Sequence, residues 1–114
     1  MITTYKINKI KAFLSDKKCE DITYYNVSKK NLIFEQCIIA NCLNPKHLEA
    51  IGDEMYEFLS KNKINVHHLE GNGDSGWLII DCYDLVINLF TNSERKRIDL
   101  DDIFATNKKI KEDN

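Results

Sequence analysis

Trp77-Leu78-Ile79-Ile80-Asp81-Cys82-Tyr83-Asp84-Leu85-Val86-Ile87-Asn88-Leu89-Phe90 is the stretch on which the fold turns. It holds two apolar, β-branched runs, Trp77 to Asp81 and Leu85 to Phe90, separated only by Cys82-Tyr83-Asp84. Two strands joined by so short a polar link must run antiparallel, so the stretch is a β-hairpin with Tyr83 at its tip. A tip residue has little core to enter. Tyr83, flanked by Asp81 and Asp84, therefore reads as part of a recognition surface rather than of the interior.

Upstream lies Glu70-Gly71-Asn72-Gly73-Asp74-Ser75-Gly76, preceded by a short strand at about Asn65–Leu69. Gly71, Gly73 and Gly76 have the spacing of a dinucleotide fingerprint, but that motif must open a helix. Here Trp77 opens a strand, so the segment reads as a hairpin loop. Downstream, Asp99 can cap a short last helix, Leu100 to Ala105, with Asp102 at the reciprocal acidic position. Asn107 to Asn114 is charged and frayed at the terminus.

Further toward the N-terminus, Asn44-Pro45 is a helix start, with Asn as cap and Pro at the first helical position. Leu48, Ile51, Met55, Phe58 and Leu59 then form a stripe at helical period, while Glu49, Asp53, Glu57 and Lys61 point away. Before it, Phe34 to Ala40 is a strand whose run Cys37-Ile38-Ile39-Ala40 lacks alternation, as a strand covered on both faces does. Ser28 to Asn31 is a turn, and Asp21 to Val27 is another strand. Thr3 or Thr4 caps a first helix carrying Ile7, Ile10, Phe13 and Leu14 and running to about Lys18. The order predicts an α/β fold: a single domain over residues 1–107 with a mixed, about five-stranded sheet packed by helices, and a tail at 108–114.

The 114 residues suffice for one domain with its own core. No apolar run approaches the ~18 residues of a membrane helix, and Met1 to Lys18 lacks the pattern of a secretory leader. Cys19, Cys37, Cys42 and Cys82 show no C-x-x-C spacing and read as reduced, buried thiols of a cytoplasmic protein. Residues 1–30 hold seven Lys against three acids, whereas residues 31–105 hold six basic residues against thirteen acids. An acidic body repels nucleic acid and suits a basic protein partner. Fourteen Lys stand against two Arg, alongside fifteen Ile and twelve Asn, which is the mark of AT-rich coding. Arg95 and Arg97 are therefore pointed choices, since a guanidinium offers a planar fork that Lys lacks.

No catalytic set emerges. Asp81 and Asp84 could hold Mg²⁺, but tight turns favour Asp for its own backbone bonding. His67 and His68 are neighbours on a strand and point to opposite faces. His47 has no nucleophile beside it, and no serine sits in a nucleophile elbow. Trp77 is either a core residue or a binding anchor, because Trp, Tyr and Arg dominate interface hot spots. Trp77, Asp81, Tyr83, Asp84 and Arg95 are the candidate partner-binding residues, and no cofactor or metal is expected.

Residues 76–90 resemble the Iojap family of ribosomal silencing factors, in which Gly-Trp, three apolar residues, Asp-Tyr-Gly-Asp, three apolar residues, His, an apolar residue and Phe follow one another. Five further segments keep order and spacing. Lys17-Lys18-Cys19-Glu20-Asp21-Ile22 is similar to Lys-Lys-Ala-Glu-Asp-Ile, and Phe34 to Ala40 to Thr-Asp-Tyr-Phe-Val-Ile-Ala. Ala50-Ile51-Gly52-Asp53 is similar to Ala-Ile-Ala-Asp, and Glu70-Gly71 to Glu-Gly. Arg95 with Ile98 to Phe104 is similar to Arg-x-x-Tyr-x-Leu-Glu-x-Leu-Trp. This chain departs at Cys82 for Tyr, Tyr83 for Gly, Asn88 for His, Glu35-Gln36 for Asp-Tyr and Phe104 for Trp. The resemblance implies a nucleotidyltransferase-like fold without enzymatic role. It implies a bacterial, cytoplasmic translation repressor that binds the large ribosomal subunit at ribosomal protein uL-fourteen and blocks joining of the small subunit when nutrients are scarce. It also implies a possible homodimer, with no direct DNA and no membrane partner. Two other readings stand beside it: a Mg²⁺-dependent nucleotidyltransferase-like enzyme using Asp81 and Asp84, and an interaction module for another basic protein.

Overall fold

The computed structural model describes residues 2–27 and 34–104. Five strands form one mixed sheet in the order β1-β2-β5-β4-β3. They are β1 (Glu20–Asn26), β2 (Gln36–Cys42), β3 (His68–Asn72), β4 (Trp77–Cys82) and β5 (Leu85–Thr91). Only β2 and β5 pair in parallel, and the other neighbours are antiparallel. The expected mixed, five-stranded α/β domain is the fold found. The expected turn at Ser28 to Asn31 and the tail at 108–114 lie outside the described residues.

Helix α1 (Thr4–Asp16) starts at Thr3, whose hydroxyl accepts the Lys6 N–H at 3.2 Å, and ends two residues short of the expected Lys18. Helix α2 (Pro45–Lys61) begins as Asn44-Pro45 predicts, with the Asn44 side chain accepting the His47 N–H at 2.8 Å. Leu48, Ile51, Met55 and Leu59 are buried along its stripe, and Phe58 is half-buried against Phe13, ring centroids 4.4 Å apart. Gly52 lets this helix sit close on the sheet: a Cβ there would lie 2.4 Å from Leu78 Cδ2. Helices α1 and α2 together cover one sheet face, burying Ile38, Ala40, Ile80, Leu85, Ile87 and Leu89.

The opposite face is treated differently. Here α3 (Asn92–Ile98) and α4 (residues 100–104) bury Cys37, Ile39, Phe90 and Phe104, with Tyr25, Ile98 and Leu100 around them. Strand β2 is thus buried at all seven positions, as its unbroken apolar run requires. Strand β4 alternates between half-buried and buried residues, so Trp77, Ile79 and Asp81 line a part of this second face over which no described helix closes.

Three expectations need correction. Strand β3 begins at His68 rather than near Asn65, so Glu70, Gly71 and Asn72 belong to it and the glycine-rich loop shrinks to residues 73–76. Its five residues are all exposed, so no hydrophobic alternation marks it, and pairing with β4 alone defines it. Second, one terminal helix becomes two: α3 precedes α4, and Asp99 is the left-handed residue between them (φ 54°) rather than an extended cap. Third, Glu49 does not simply face water, because its carboxylate accepts the Gly73 N–H at 2.6 Å and pins the β3–β4 turn to α2.

Candidate functional site

The β4–β5 hairpin closes as a two-residue turn, with Cys82 opposite Leu85 and Tyr83-Asp84 between them. Tyr83 adopts φ 68°, a left-handed conformation that β-carbons disfavour. The turn is held by Asp81, whose Oδ1 accepts the Tyr83 N–H at 2.9 Å, an Asx turn. The Asp84 carbonyl accepts the N–H groups of both Glu35 and Gln36, each at 2.9 Å, and so ties the tip to the start of β2. Asp81 and Asp84 thus have structural work at the tip. Among the described residues, no group of three His, Cys, Asp or Glu side chains could hold a metal ion.

Tyr83 is 57% exposed. Its ring lies against the His67 ring, centroids 4.7 Å apart, and His67 is fixed by its own N–H donating to the Asp81 carbonyl at 2.8 Å. Phe34, His67, Asp81, Tyr83 and Val86 enclose a notch of about 210 Å³. His67 and Phe34 were not expected here. His67 precedes β3 and reaches Asp81 only through the β3–β4 register, while Phe34 lies before β2 and arrives beside the tip through the Asp84 carbonyl bonds.

Trp77 sits at the far end of β4, five residues and so roughly 17 Å of strand from the turn. It is half-buried, stacks on Phe90 at 5.1 Å and donates its indole N–H to Asn88 Oδ1 at 3.0 Å. Asn88 is buried and donates in turn toward Cys37 Sγ at 3.3 Å. The residue that stands where the resembling family has His is therefore the inner support of Trp77. The inner edge of Trp77 is packed, and its outer edge borders the part of the second face that no described helix closes.

Arg95 faces elsewhere. It rises from α3 and forks onto Asp101, Nε to Oδ2 and Nη2 to Oδ1 both at 2.9 Å. It also donates to Asn41 Oδ1 and Thr23 Oγ1, each at 3.0 Å, and to the Asp21 carbonyl. Its side chain is 12% exposed. These bonds form one wall of a polar cleft over β1, β2 and α3 that includes Asn92 and Lys96. Arg95 and the Tyr25 hydroxyl, which donates at 2.8 Å, hold the Asp101 carboxyl below its ordinary range. The structure thus brings Asp81, Tyr83 and Asp84 together, sets Trp77 on the same face at the other end of the strand, and places Arg95 in an internal network. Sequence reasoning missed α3 as Arg95's carrier, although Thr91-x-x-Glu94 is a capping-box pattern and Arg95, Lys96 and Arg97 are the basic last turn of a helix.

Residues 3–114 match the family model described as "Ribosomal silencing factor during starvation", RsfS. The ribosomal silencing factor RsfS of Bacillus subtilis is 27% identical over 94 residues, covering 82% of this chain and 80% of that protein. The RsfS of Halalkalibacterium halodurans is 28% identical over 92 residues, covering 81% and 79%. Neither the family description nor these names state a catalytic activity. A crystal structure of a Chromobacterium violaceum protein superposes with a TM-score of 0.81 at 23% identity, over 91% of this chain and 88% of that one. One from Bacillus halodurans gives 0.75 at 24% identity, over 89% and 94%. These structural likenesses establish a shared fold. With the family model spanning the sheet, both helical layers and the hairpin tip, the chain belongs to the RsfS family of ribosomal silencing factors.

Proposed function

We propose that this protein is a non-enzymatic silencing factor that binds the large ribosomal subunit at ribosomal protein uL-fourteen and keeps the small subunit from joining. The observation that carries the reading is the hairpin tip. Two half-buried carboxylates and an exposed aromatic ring meet at one end of a sheet face left open by the described helices, on a body rich in acids. Acids supply steering and register toward a basic partner, and aromatic side chains supply contact energy. Trp77 extends the patch along the open face, and Arg95 contributes by fixing α3 and α4 over the rest of it. Silencing by this route needs no chemistry: the bound domain occupies space that the small subunit requires. The role places the protein in the cytoplasm. A homodimer formed through the same open face would compete with the ribosomal partner.

The test is cosedimentation with isolated large subunits, paired with a light-scattering assay of subunit joining. The expected result is a stoichiometric complex whose large subunits no longer join small ones. A folded protein that leaves large subunits unoccupied, or occupies them without affecting joining, overturns the reading.

A further inference from the structure

The notch beside the tip carries a sharper statement about the partner. Its volume, about 210 Å³, is below the ~300 Å³ at which pockets for whole small-molecule ligands begin, so it suits one side chain. Three of its five described lining residues are rings, Phe34, His67 and Tyr83, and among these five the charged one is Asp81. Aromatic faces carry negative quadrupole charge and attract cations, and a carboxylate does so more strongly. An anionic ligand is disfavoured by the same acid. A divalent metal is disfavoured because one carboxylate supplies too few oxygen ligands.

The walls are prepared in advance. Tyr83 is aimed by its left-handed backbone and by the bond from its N–H to Asp81 Oδ1, and His67 by the bond from its N–H to the Asp81 carbonyl. These bonds engage one carboxylate oxygen of Asp81 and leave Oδ2 without a partner among the described residues. A half-buried carboxylate beside a tilted pair of rings matches a flat cation that can both lie on a ring face and fork, which is a guanidinium rather than an ammonium.

We propose that this notch receives one arginine side chain of the protein partner, with its guanidinium against Tyr83 and His67 and paired to the free oxygen of Asp81. The proposal deepens the reading of this edge as partner-facing and rests on it, so its test avoids the ribosome. The full chain, labelled with ¹⁵N, is titrated with N-acetyl-arginine amide and, separately, with its neutral isostere N-acetyl-citrulline amide. The arginine probe is expected to give saturable shifts at the amides of Asp81, Tyr83 and Val86, with the citrulline probe at least about tenfold weaker. Asp81→Asn keeps an oxygen to accept the Tyr83 N–H, so the turn should survive while arginine affinity falls by about tenfold or more. Tyr83→Gly suits the left-handed backbone, removes one wall, and should weaken the probe as well. Equal response to both probes, unchanged affinity in Asp81→Asn and Tyr83→Gly, or shifts confined to other surfaces would overturn the proposal. Arginine binding without large-subunit binding removes only the ribosomal reading; large-subunit binding without arginine binding removes only the notch.

Discussion

Arg95 gathers Asp21, Thr23, Asn41 and Asp101, residues from both ends of the described chain, onto one guanidinium. A lysine cannot reproduce a planar fork with this many donors. Arg95→Lys should therefore cost about 2–3 kcal/mol in urea denaturation, since the carboxylate and amide acceptors it leaves are partly buried. The same pair sets a pH dependence. Arg95 holds the Asp101 carboxyl below its unfolded value, so the stabilisation is complete above about pH 4 and is lost as pH falls through the lower folded value. Asp101→Asn should be less stable than wild type at pH 7, with the gap closing in melts run at progressively lower pH below about 4. At the tip, Tyr83 holds a left-handed backbone where the resembling family has Gly. Tyr83→Gly should raise stability by about 1 kcal/mol, because relief of that backbone outweighs the loss of one exposed ring contact. The four thiols are free and buried. Burial pushes Cys37 and Cys82 up to about 12, whereas Cys19 is lowered by the Cys42 thiol 3.9 Å away. Native alkylation followed by peptide mass mapping should label Cys19 first, and denaturation without reductant should yield four labels.

At the scale of elements, α2 shows how far a local signal reaches. Its cap, proline and apolar stripe are all contiguous in sequence, and the helix forms where they say. Ile51→Ala, at a position 1% exposed, should cost about 2–5 kcal/mol. Glu57→Ala should stay within about 0.5 kcal/mol, since its Lys61 partner is 3.5 Å away on an open surface. Glu49→Ala should cost about 1–2 kcal/mol because it orphans the Gly73 N–H, and thermal melts of the three variants rank them directly. The Glu49 contact shows where reading from sequence ends. Helical phase places Glu49 on the outer face, but its partner arrives from a turn 24 residues away. The same physics explains β3, whose exposed residues carry no alternation and whose existence depends on β4, and α3, which follows β5 at Thr91 with no intervening loop. The hairpin and its tip acids were legible because a two-residue turn is a local event. The His67 and Phe34 walls, and the Arg95 network, were not, because only the folded sheet makes them neighbours.

On the scale of the whole molecule, the two sheet faces divide the work. One is sealed by α1 and α2, and the other is closed, among the described residues, over β1, β2 and β5. What remains open ends at the acidic tip of a body with thirteen acids against six basic residues. Such a field acts at a distance and governs how quickly a basic partner is found, while the contacts at the patch govern how long it stays. Asp84→Lys reverses one charge of the tip and keeps the Asp84 carbonyl that anchors Glu35 and Gln36, and it reads steering when its melting temperature stays within a few degrees of wild type. In stopped-flow binding to large subunits it should slow association by about tenfold at low salt. The difference should shrink as ionic strength passes ~0.15 M, where the Debye length falls to about 8 Å. Tyr83→Gly should behave in the opposite manner, leaving association nearly unchanged and speeding dissociation, because it removes contact area and no charge. A folded Asp84→Lys protein that associates like wild type across the salt range would show that the tip points away from the partner. The binding face would then have to be sought at the Trp77 end of β4.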